Sequence, residues 1–399
     1  MTQNNQKYLL PVGFYDLLDE EAVINQESID ILLRKFYNHG YNMIKTPLVE
    51  FAALEFAENL TNSCNISEQS FQMIDIFSGK NLIIRSDITA QIARIINTRF
   101  HEKTLPMRLC YAGDVLKVKN EDLYSDRQLT QVGIELIGSQ SLNADQEVID
   151  LILEGLEDIN LPNLIIDFCI PHFLDELLKE LRIKEFDAIK SAIAVKNISQ
   201  IRNLAGKYAQ NLINLTLKIN DFEVIESELQ NLPIAKSSLD KISNLKKTVE
   251  NTARNYANLK ILINIFGDEN FLYHQKIGFT IFEEGFSYPI ARGGRYQIDL
   301  DNPRYSNSEN SGQSKSIFAI GATIYINNLR KILIKSPKKI KKTILISNQI
   351  SKKDLANLHS QGYITITHLE ENETPKLMQL AAEKLGCNFI YTHNKIIPL

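Results

Sequence analysis

The sequence is poor in cysteine. Its 399 residues include four cysteines, with no Cys-x-x-Cys pair and no histidine pair at metal-ligand spacing: Cys64, Cys110, Cys169 and Cys387. A disulfide framework or a zinc site would need a closer, paired arrangement. We therefore expect the four cysteines to be buried thiols in a reducing compartment.

The chain also lacks a strong net charge and long apolar runs. Its formal charge is -4, which leaves no overall basic surface to attract a polyanion. The first residues do not show the basic and then apolar order of a secretion signal. No apolar run approaches the roughly 20 residues that span a bilayer. These absences predict a cytoplasmic protein that does not enter a membrane.

The sequence does contain enough apolar material for a large core. A hydrophobic content of 44% in 399 residues predicts two or three domains. The pattern favours a core at 1–336, interrupted by a helical insertion at about 171–264, and a small α/β module at 340–399. The lysine-rich stretch at 337–342 is interpreted as a solvated hinge between them.

Hydrophobic periodicity predicts the elements of the core. A helix is expected at about 20–38, capped by Asp19 or a neighbour and ended by Gly40, with a strand after it at 41–47. The remaining predictions are strands at 71–77, 81–85, 106–118, 128–138, 164–169, 277–282 and 287–291, helices at 88–100 and 144–156, and a strand feeding a helix at 316–333. Hairpins interspersed with helices predict an α+β fold with a mostly antiparallel sheet.

The last sixty residues show a different pattern. Strand and helix signals alternate there, with strands expected at 343–347, 363–367 and 388–392 and helices at 352–360 and 374–385. Such alternation predicts a small parallel α/β module.

One predicted strand carries a polar face. Gln131, Gly133 and Glu135 alternate with apolar residues, so the three share one side of strand 128–138. Buried polar side chains on a central strand need hydrogen-bond partners, which the ammonium or imidazole group of a ligand would supply. An exposed sheet face explains the same alternation, and periodicity alone leaves both interpretations open.

A second candidate lies where a strand turns into a helix. Asp87, in Arg85-Ser86-Asp87-Ile88-Thr89, is a plausible N-cap for the helix that follows. A carboxylate at this turn could equally hold the amine of a ligand. Both roles remain open from the sequence.

Taken together, these segments resemble the catalytic core of histidyl-tRNA synthetases. The resemblance covers residues 9 to about 333 and rests on the order and spacing of five segments: Gly13-Phe14-Tyr15-Asp16-Leu17-Leu18 with its helix and strand, 85–89, the hairpin at 108–138, Gly293-Gly294-Arg295-Tyr296, and the helix after Gly321. It implies a class II synthetase antiparallel sheet with flanking helices, a helical insertion, and self-association as a dimer.

The departures from that family fall on residues that would handle ATP. Where the synthetases present Arg, Glu and an aromatic residue to the nucleotide, this chain has Lys117, Lys119 and Leu129. The closing Gly-Leu-Glu-Arg motif is matched by Tyr325-Ile326-Asn327-Asn328, and no arginine occurs between Arg254 and Arg292, where the family has a catalytic one. Lysine lacks the planar fork of arginine, and catalysis by charge stabilisation rarely survives the loss of several such groups. These departures imply no aminoacylation activity, and no cofactor is expected. No tRNA is expected either, because the segment 340–399 has no evident basic or aromatic reading surface.

A second family accounts for these departures. The chain resembles the regulatory subunits of ATP phosphoribosyltransferase, on Tyr111-Ala112-Gly113, the segment 85–91 and the segment 291–296. The resemblance implies a non-catalytic subunit of a hetero-octamer with the short-form catalytic subunit, in the first step of L-histidine biosynthesis, with L-histidine as allosteric effector. Carried over by position, the implied histidine-binding residues are Asp87 and Thr89 at the amino group, Gln131 and Glu135 along the pocket, and Lys117 near the carboxylate.

Two further positions depart from the pattern. A Tyr-Tyr pair is missing near Lys276 and Ile277, and Gln297 follows the Gly-Gly-Arg-Tyr motif where an Asp is usual. Two alternatives consequently stay open: a divergent histidyl-tRNA synthetase, and a synthetase-derived adaptor that does not sense histidine.

Overall fold

The computed structural model describes residues 9–52, 69–99, 104–118, 126–218, 220–267, 274–300, 315–335, 342–370, 373–393 and 395–399. The chain divides into two compact units, Met1–Ile334 and Lys335–Leu399. The predicted domains at 1–336 and 340–399 stay a prediction.

An eight-stranded sheet forms the centre of the first unit, in the order β1-β5-β6-β11-β10-β9-β7-β8. The five strands from β6 to β7 and their neighbour β5 pair antiparallel, whereas the outer pairs β1–β5 and β7–β8 are parallel. The strands are β1 (Asn42–Met43), β5 (Met107–Leu116), β6 (Gln128–Ile137), β7 (Leu164–Cys169), β8 (Lys260–Ile263), β9 (His274–Glu283), β10 (Ala291–Leu300) and β11 (Lys315–Tyr325). The predicted α+β fold with a mostly antiparallel sheet is confirmed.

Helices cover both faces of this sheet. On one face, α1 (Asp19–Asn38) and α3 (Leu142–Asp158) pack against the apolar side of β6, with Val132, Ile134 and Leu136 in the main core. On the other face lies α2 (Thr89–Arg99), whose Ile92 joins a second core cluster with Tyr111. The last helix of this unit, α10 (Ile326–Leu333), follows directly from β11. The candidate site therefore lies on the α2 side of β6.

A small three-stranded sheet stands apart from the large one. Its order is β2-β4-β3, from β2 (Val49–Phe51), β3 (Gln72–Ile74) and β4 (Asn81–Ile84). Strand β4 leads into the turn that carries Asp87 and then into α2.

Six α-helices lie between β7 and β8. They are α4 (Phe173–Glu180), α5 (Phe186–Ala194), α6 (Ile198–Leu204), α7 (Ala209–Leu217), α8 (Phe222–Gln230) and α9 (Lys236–Asn255). The helical pattern was expected to reach about residue 264, but Lys260–Ile263 forms the edge strand β8. Four residues are too few for periodicity to separate a strand from the end of a helix.

The second unit is a four-stranded sheet with two helices. Its strand order is β13-β12-β14-β15, in which the first three strands are parallel, as predicted, and β15 is antiparallel. The elements are β12 (Thr343–Ile346), α11 (Lys352–Ser360), β13 (Ile364–Thr367), α12 (Pro375–Lys384), β14 (Phe389–Thr392) and β15 (Lys395–Pro398). Strand β15 was not predicted.

Several local predictions were wrong. The N-cap of α1 is a neighbour of Asp19, as expected, but this residue is Leu18, whose side chain makes no capping hydrogen bond. The strand expected at 41–47 has only the two residues of β1. A strand was expected at 287–291, but β10 begins at Ala291 and contains the whole Gly293 to Tyr296 motif. The two glycines of this motif permit close packing within the sheet.

Two predictions from composition can be compared with the structure. Cys110, Cys169 and Cys387 are buried thiols, and Cys64 lies outside the described residues. Within the described ranges, no helix is long and apolar enough to cross a membrane.

Candidate functional site

Three strands bring polar side chains to one face of the sheet. On β6, Glu135 pairs with Gly321 of β11, Gly133 pairs with Thr323, and Gly133 also pairs with Tyr111 of β5. Directly paired residues of antiparallel strands share a face. The polar side chains predicted for β6 therefore lie on the side of the sheet that α2 covers. They do not form an exposed sheet face, because Gln131 and Glu135 are buried.

Glycines on this face make room for the functional side chains. A Cβ built on Gly321 would lie 1.7 Å from Oε2 of Glu135, so the carboxyl group lies directly over the Gly321 backbone. A Cβ on Gly133 would lie 2.4 Å from the Tyr111 hydroxyl. Any larger residue at either position would displace the polar group that covers it.

Glu135 is the most deeply buried charged group of the site. Glu135 is only 1% exposed. Its carboxyl group accepts hydrogen bonds from the Tyr296 hydroxyl at 2.7 Å and from Thr89 Oγ1 at 2.9 Å. Burial raises the pKa of Glu135 to about 8, against the lowering effect of these two hydrogen bonds. Without a ligand, Glu135 therefore holds a proton at neutral pH.

Asp87 caps the start of α2, as one of its two expected roles requires, and it also binds β6; its role toward a ligand amine stays a prediction. Its Oδ1 accepts a hydrogen bond from the Thr89 backbone N–H at 2.7 Å, at the start of α2, and its Oδ2 accepts one from Gln131 Nε2 at 3.4 Å. The Oε1 of Gln131 in turn accepts the Ile88 N–H at 3.2 Å. Thus the turn before α2 is bound to β6 by the same side chains that line the site.

The structure brings together four of the five predicted binding residues. Asp87, Thr89, Gln131 and Glu135 form one hydrogen-bonded group, as described above. Lys117 is not part of it: it follows the end of β5, where its backbone N–H donates to Arg127 at 2.8 Å. At strand spacing it lies about 13 Å along the chain from Gly113, the partner of Gln131. Lys119 lies outside the described residues.

Three residues of this site were missed by the sequence analysis. Tyr111 and Thr323 form a hydrogen bond of 2.6 Å between their hydroxyls, and Tyr111 lies 3.4 Å from the Thr89 hydroxyl. Tyr296 binds Glu135. Burial raises the pKa of the Tyr111 phenol well above its ordinary value, so it remains a hydrogen-bond donor. Alternation within β5, β10 and β11 could have placed each residue on a face, but only the register between strands joins them.

The nucleotide half of the matched synthetase site is organised differently. Asn327 Oδ1 accepts the Thr130 N–H at 2.8 Å, and its Nδ2 donates to the Gln128 carbonyl and to Asp126, each at 3.0 Å. Asn328 Nδ2 donates to the Pro289 carbonyl at 2.8 Å. Both amides thus bind the protein itself, where the synthetase motif has Glu and Arg.

The charged residues that follow Asn328 in α10 also bind other side chains of the protein. Arg330, which is 3% exposed, donates to the Tyr15 hydroxyl at 2.9 Å, and Lys331 forms a 3.0 Å ion pair with Asp126. Burial raises the pKa of Tyr15, with Asp126 as the next cause. Leu129, which replaces the aromatic residue of the synthetases, is buried in the apolar cluster under α2.

An arginine is packed between two aromatic rings beside this network. The Arg127 guanidinium lies 5.5 Å from the ring centroid of Phe14 and 4.7 Å from that of Phe71. Its stem lies against Gly13, where a Cβ would come within 2.7 Å. The positive φ of 82° at Gly13 also favours glycine. These contacts fix the chain segment before α1 against the end of β6.

The described part of the chain contains no evident set of metal ligands. No group of three or more His, Cys, Asp or Glu side chains there could hold a metal ion.

Comparison with known proteins places this arrangement in a family. The family model described as histidyl-tRNA synthetase matches residues 13–310. The chain belongs to the histidyl-tRNA synthetase family. Membership and the shared architecture confirm the expected class II synthetase-like fold.

Within this family, the similar curated proteins are regulatory subunits. The ATP phosphoribosyltransferase regulatory subunit of Paramagnetospirillum magneticum is 29% identical, over 97% of both chains. That of Rhodospirillum centenum is 26% identical, over 97% of this chain and 95% of the relative. The predicted resemblance to these regulatory subunits is therefore confirmed over nearly the full length.

A solved structure shows the same fold. The crystal structure of an ATP phosphoribosyltransferase regulatory subunit/histidyl-tRNA synthetase from Bacillus halodurans has a TM-score of 0.72 and 21% identity, covering 94% of this chain and 96% of the other.

Proposed function

We propose that this chain is the non-catalytic regulatory subunit of ATP phosphoribosyltransferase, acting in the first step of L-histidine biosynthesis. The observation that carries the proposal is a contrast within one site. Asp87, Thr89, Gln131 and Glu135 form a polar group suited to an amino acid. Asn327 and Asn328 instead bind backbone groups of Thr130, Gln128 and Pro289. The names of the near-full-length relatives support it.

The effector in this proposal is L-histidine. Its α-ammonium group would bind the Asp87 carboxylate, which is only partly exposed, with Thr89 and Gln131 beside it. Its imidazole N–H would donate to Glu135, which is buried next to Tyr296. The backbone end of the ligand would then lie nearer the surface than its side chain. Lys117, expected near the carboxylate from the resemblance, remains a prediction.

The partner in this proposal is the short-form catalytic subunit. The regulatory chain self-associates as a dimer and assembles with the catalytic subunit into a hetero-octamer in the cytoplasm. It does not aminoacylate, because the groups that would stabilise phosphoryl charge are replaced. It binds no tRNA, because the C-terminal segment has no evident basic or aromatic reading surface. Histidine would change activity by favouring one quaternary state, for which a coupling free energy of about 1–3 kcal/mol is sufficient.

A reconstitution assay tests the proposal. The purified chain is mixed with a short-form catalytic subunit, and phosphoribosyl-ATP formation is measured with and without L-histidine. We expect activity to appear or rise on mixing and to fall when histidine is added. Unchanged activity on mixing contradicts the proposal, and activity on mixing that histidine does not change indicates an adaptor without histidine sensing.

The synthetase alternative has its own assay. A divergent histidyl-tRNA synthetase would catalyse histidine-dependent ATP–pyrophosphate exchange with this chain alone. We expect no exchange, because Asn328 stands where the synthetase motif has its phosphate-binding arginine and donates to the Pro289 carbonyl.

A further inference from the structure

Arg292 lies on the same face of the sheet as the predicted histidine-binding residues. It pairs with Thr323 of β11, and Thr323 pairs with Gly133 of β6. Residues paired in this way share a face, and Glu135, two residues from Gly133, shares it too. Strand β10 therefore brings an arginine to the site that its sequence position does not suggest.

Thr323, the strand neighbour of Arg292, is hydrogen-bonded to the rest of the site. Cross-strand partners have Cβ atoms about 4.5–5.5 Å apart, so Arg292 stands beside Thr323. The Thr323 hydroxyl binds Tyr111 at 2.6 Å, and Tyr111 lies 3.4 Å from Thr89. Thr89 in turn binds Glu135.

Its position along the sheet suits the backbone end of an amino acid. The row of Arg292, Thr323 and Gly133 lies between the row of Gln131 and that of Glu135. Arg292 is partly exposed, like Asp87, whereas Gln131 and Glu135 are buried. Lys117 is two rows farther along β5 than the row of Gln131.

The ligand chemistry requires a cation at this place. The site already presents the Asp87 carboxylate to an ammonium group, and an α-amino acid carries a carboxylate on the same carbon atom. Taking that carboxylate out of water without a charged partner would be costly. Arginine matches a carboxylate with two parallel N–H donors, which lysine cannot do.

We propose that Arg292 binds the α-carboxylate of the amino-acid effector, in place of the arginine that is missing before β9 in this chain. This assignment rests on the proposed function, since it takes the effector to be an α-amino acid. It makes Arg292 a determinant of specificity: ligands without a free carboxylate are discriminated against.

Calorimetry with two ligands tests the assignment. L-histidine and L-histidinamide, which lacks the carboxylate charge, are titrated into the full-length chain and into R292Q. We expect the wild-type chain to prefer histidine, and R292Q to bind histidine about 10–100-fold more weakly, as for loss of a charged hydrogen bond. Histidinamide affinity should change by less than about threefold, because it makes no such bond.

Two further variants keep the test specific. R254Q removes an exposed arginine of α9 and should leave both affinities unchanged. R292K, which keeps the charge without the fork, should fall between R292Q and the wild type. Thermal unfolding of each variant shows whether a lost affinity reflects a lost fold.

The outcomes separate this assignment from the proposed function. Equal losses for both ligands in R292Q would mean that Arg292 only supports the structure, which overturns the assignment alone. Loss of the preference in K117Q and not in R292Q would also overturn it. No histidine binding by the wild-type chain would overturn the assignment and the histidine-sensing function together.

Discussion

The two halves of this site use their polar groups in opposite ways. In the amino-acid half, Glu135 is held by the hydroxyls of Thr89 and Tyr296, and Asp87 is held by the Gln131 amide and the Thr89 backbone N–H. In the nucleotide half, Asn327 and Asn328 bind backbone groups of β6 and of the segment before β10. The first arrangement stays available to a ligand, whereas the second contributes to the fold.

The hydrogen bonds of Asn327 explain why the nucleotide half contributes to the fold. A buried amide is costly unless its hydrogen bonds are made. Asn327 makes them with Thr130 and Gln128, so this side chain joins α10 to β6.

The largest effect is expected at Glu135, as a pH dependence of stability. Burial raises its pKa to about 8 in the folded chain, against an ordinary value of 4.5. Both states hold the proton below about pH 4.5, and the unfolded chain releases it first as pH rises. The destabilisation from Glu135 therefore develops between pH 4.5 and 8. E135Q, which does not titrate, should gain stability relative to the wild type by up to about 4 kcal/mol across this window.

Urea unfolding of both chains at pH 4.5, 6 and 8 measures this difference. If the free energy of unfolding of both chains changed with pH in parallel, Glu135 would be ionised in the folded chain. Its carboxyl group would then not be the protonated group that we contrast with the amides of Asn327 and Asn328.

The next largest effect is expected for G321A, on ligand binding. The new Cβ would meet Glu135 Oε2, and the carboxyl group must move away from Tyr296 and Thr89. We expect histidine affinity to fall by at least about 100-fold, or about 2.7 kcal/mol. Calorimetry measures the loss. In the double variant G321A/E135A the collision is absent, so the melting temperature should recover while binding stays weak. Unchanged histidine affinity in G321A would place the ligand away from Glu135.

A smaller effect is expected for N327A, on stability alone. The substitution leaves the Thr130 N–H and the Gln128 carbonyl without their amide partner. The expected loss is about 2 kcal/mol, visible as a lower urea midpoint with unchanged histidine affinity. If N327A lost histidine binding at constant stability, the nucleotide half would contribute to histidine binding, which contradicts this prediction.

The smallest effect is expected for N328A. Its amide makes one described hydrogen bond, to the Pro289 carbonyl, and the residue is partly exposed. We expect a loss of about 1 kcal/mol and no change in histidine binding. Thermal unfolding beside N327A provides the comparison, and a larger loss than in N327A would contradict the ranking.

The sequence predicted the parts of the site that depend on local order. The alternation of Gln131, Gly133 and Glu135 follows from the strand period, and the place of Asp87 follows from the chemistry of a helix start. The structure bears out both patterns, because each needs only neighbouring residues.

The parts that depend on register could not be predicted in this way. Tyr296, Thr323 and Arg292 reach the site only because β10, β11 and β6 pair as they do. In β10, Gly293 leaves space for Phe279, which a Cβ would approach to 2.5 Å. Interstrand packing, and not the local sequence, decides these positions.

The most direct test of the contrast between the two halves is calorimetry of the purified chain with two ligands in separate titrations, L-histidine and ATP with magnesium. The account predicts saturable binding of histidine and no binding heat with ATP. Binding of ATP without binding of histidine would contradict it.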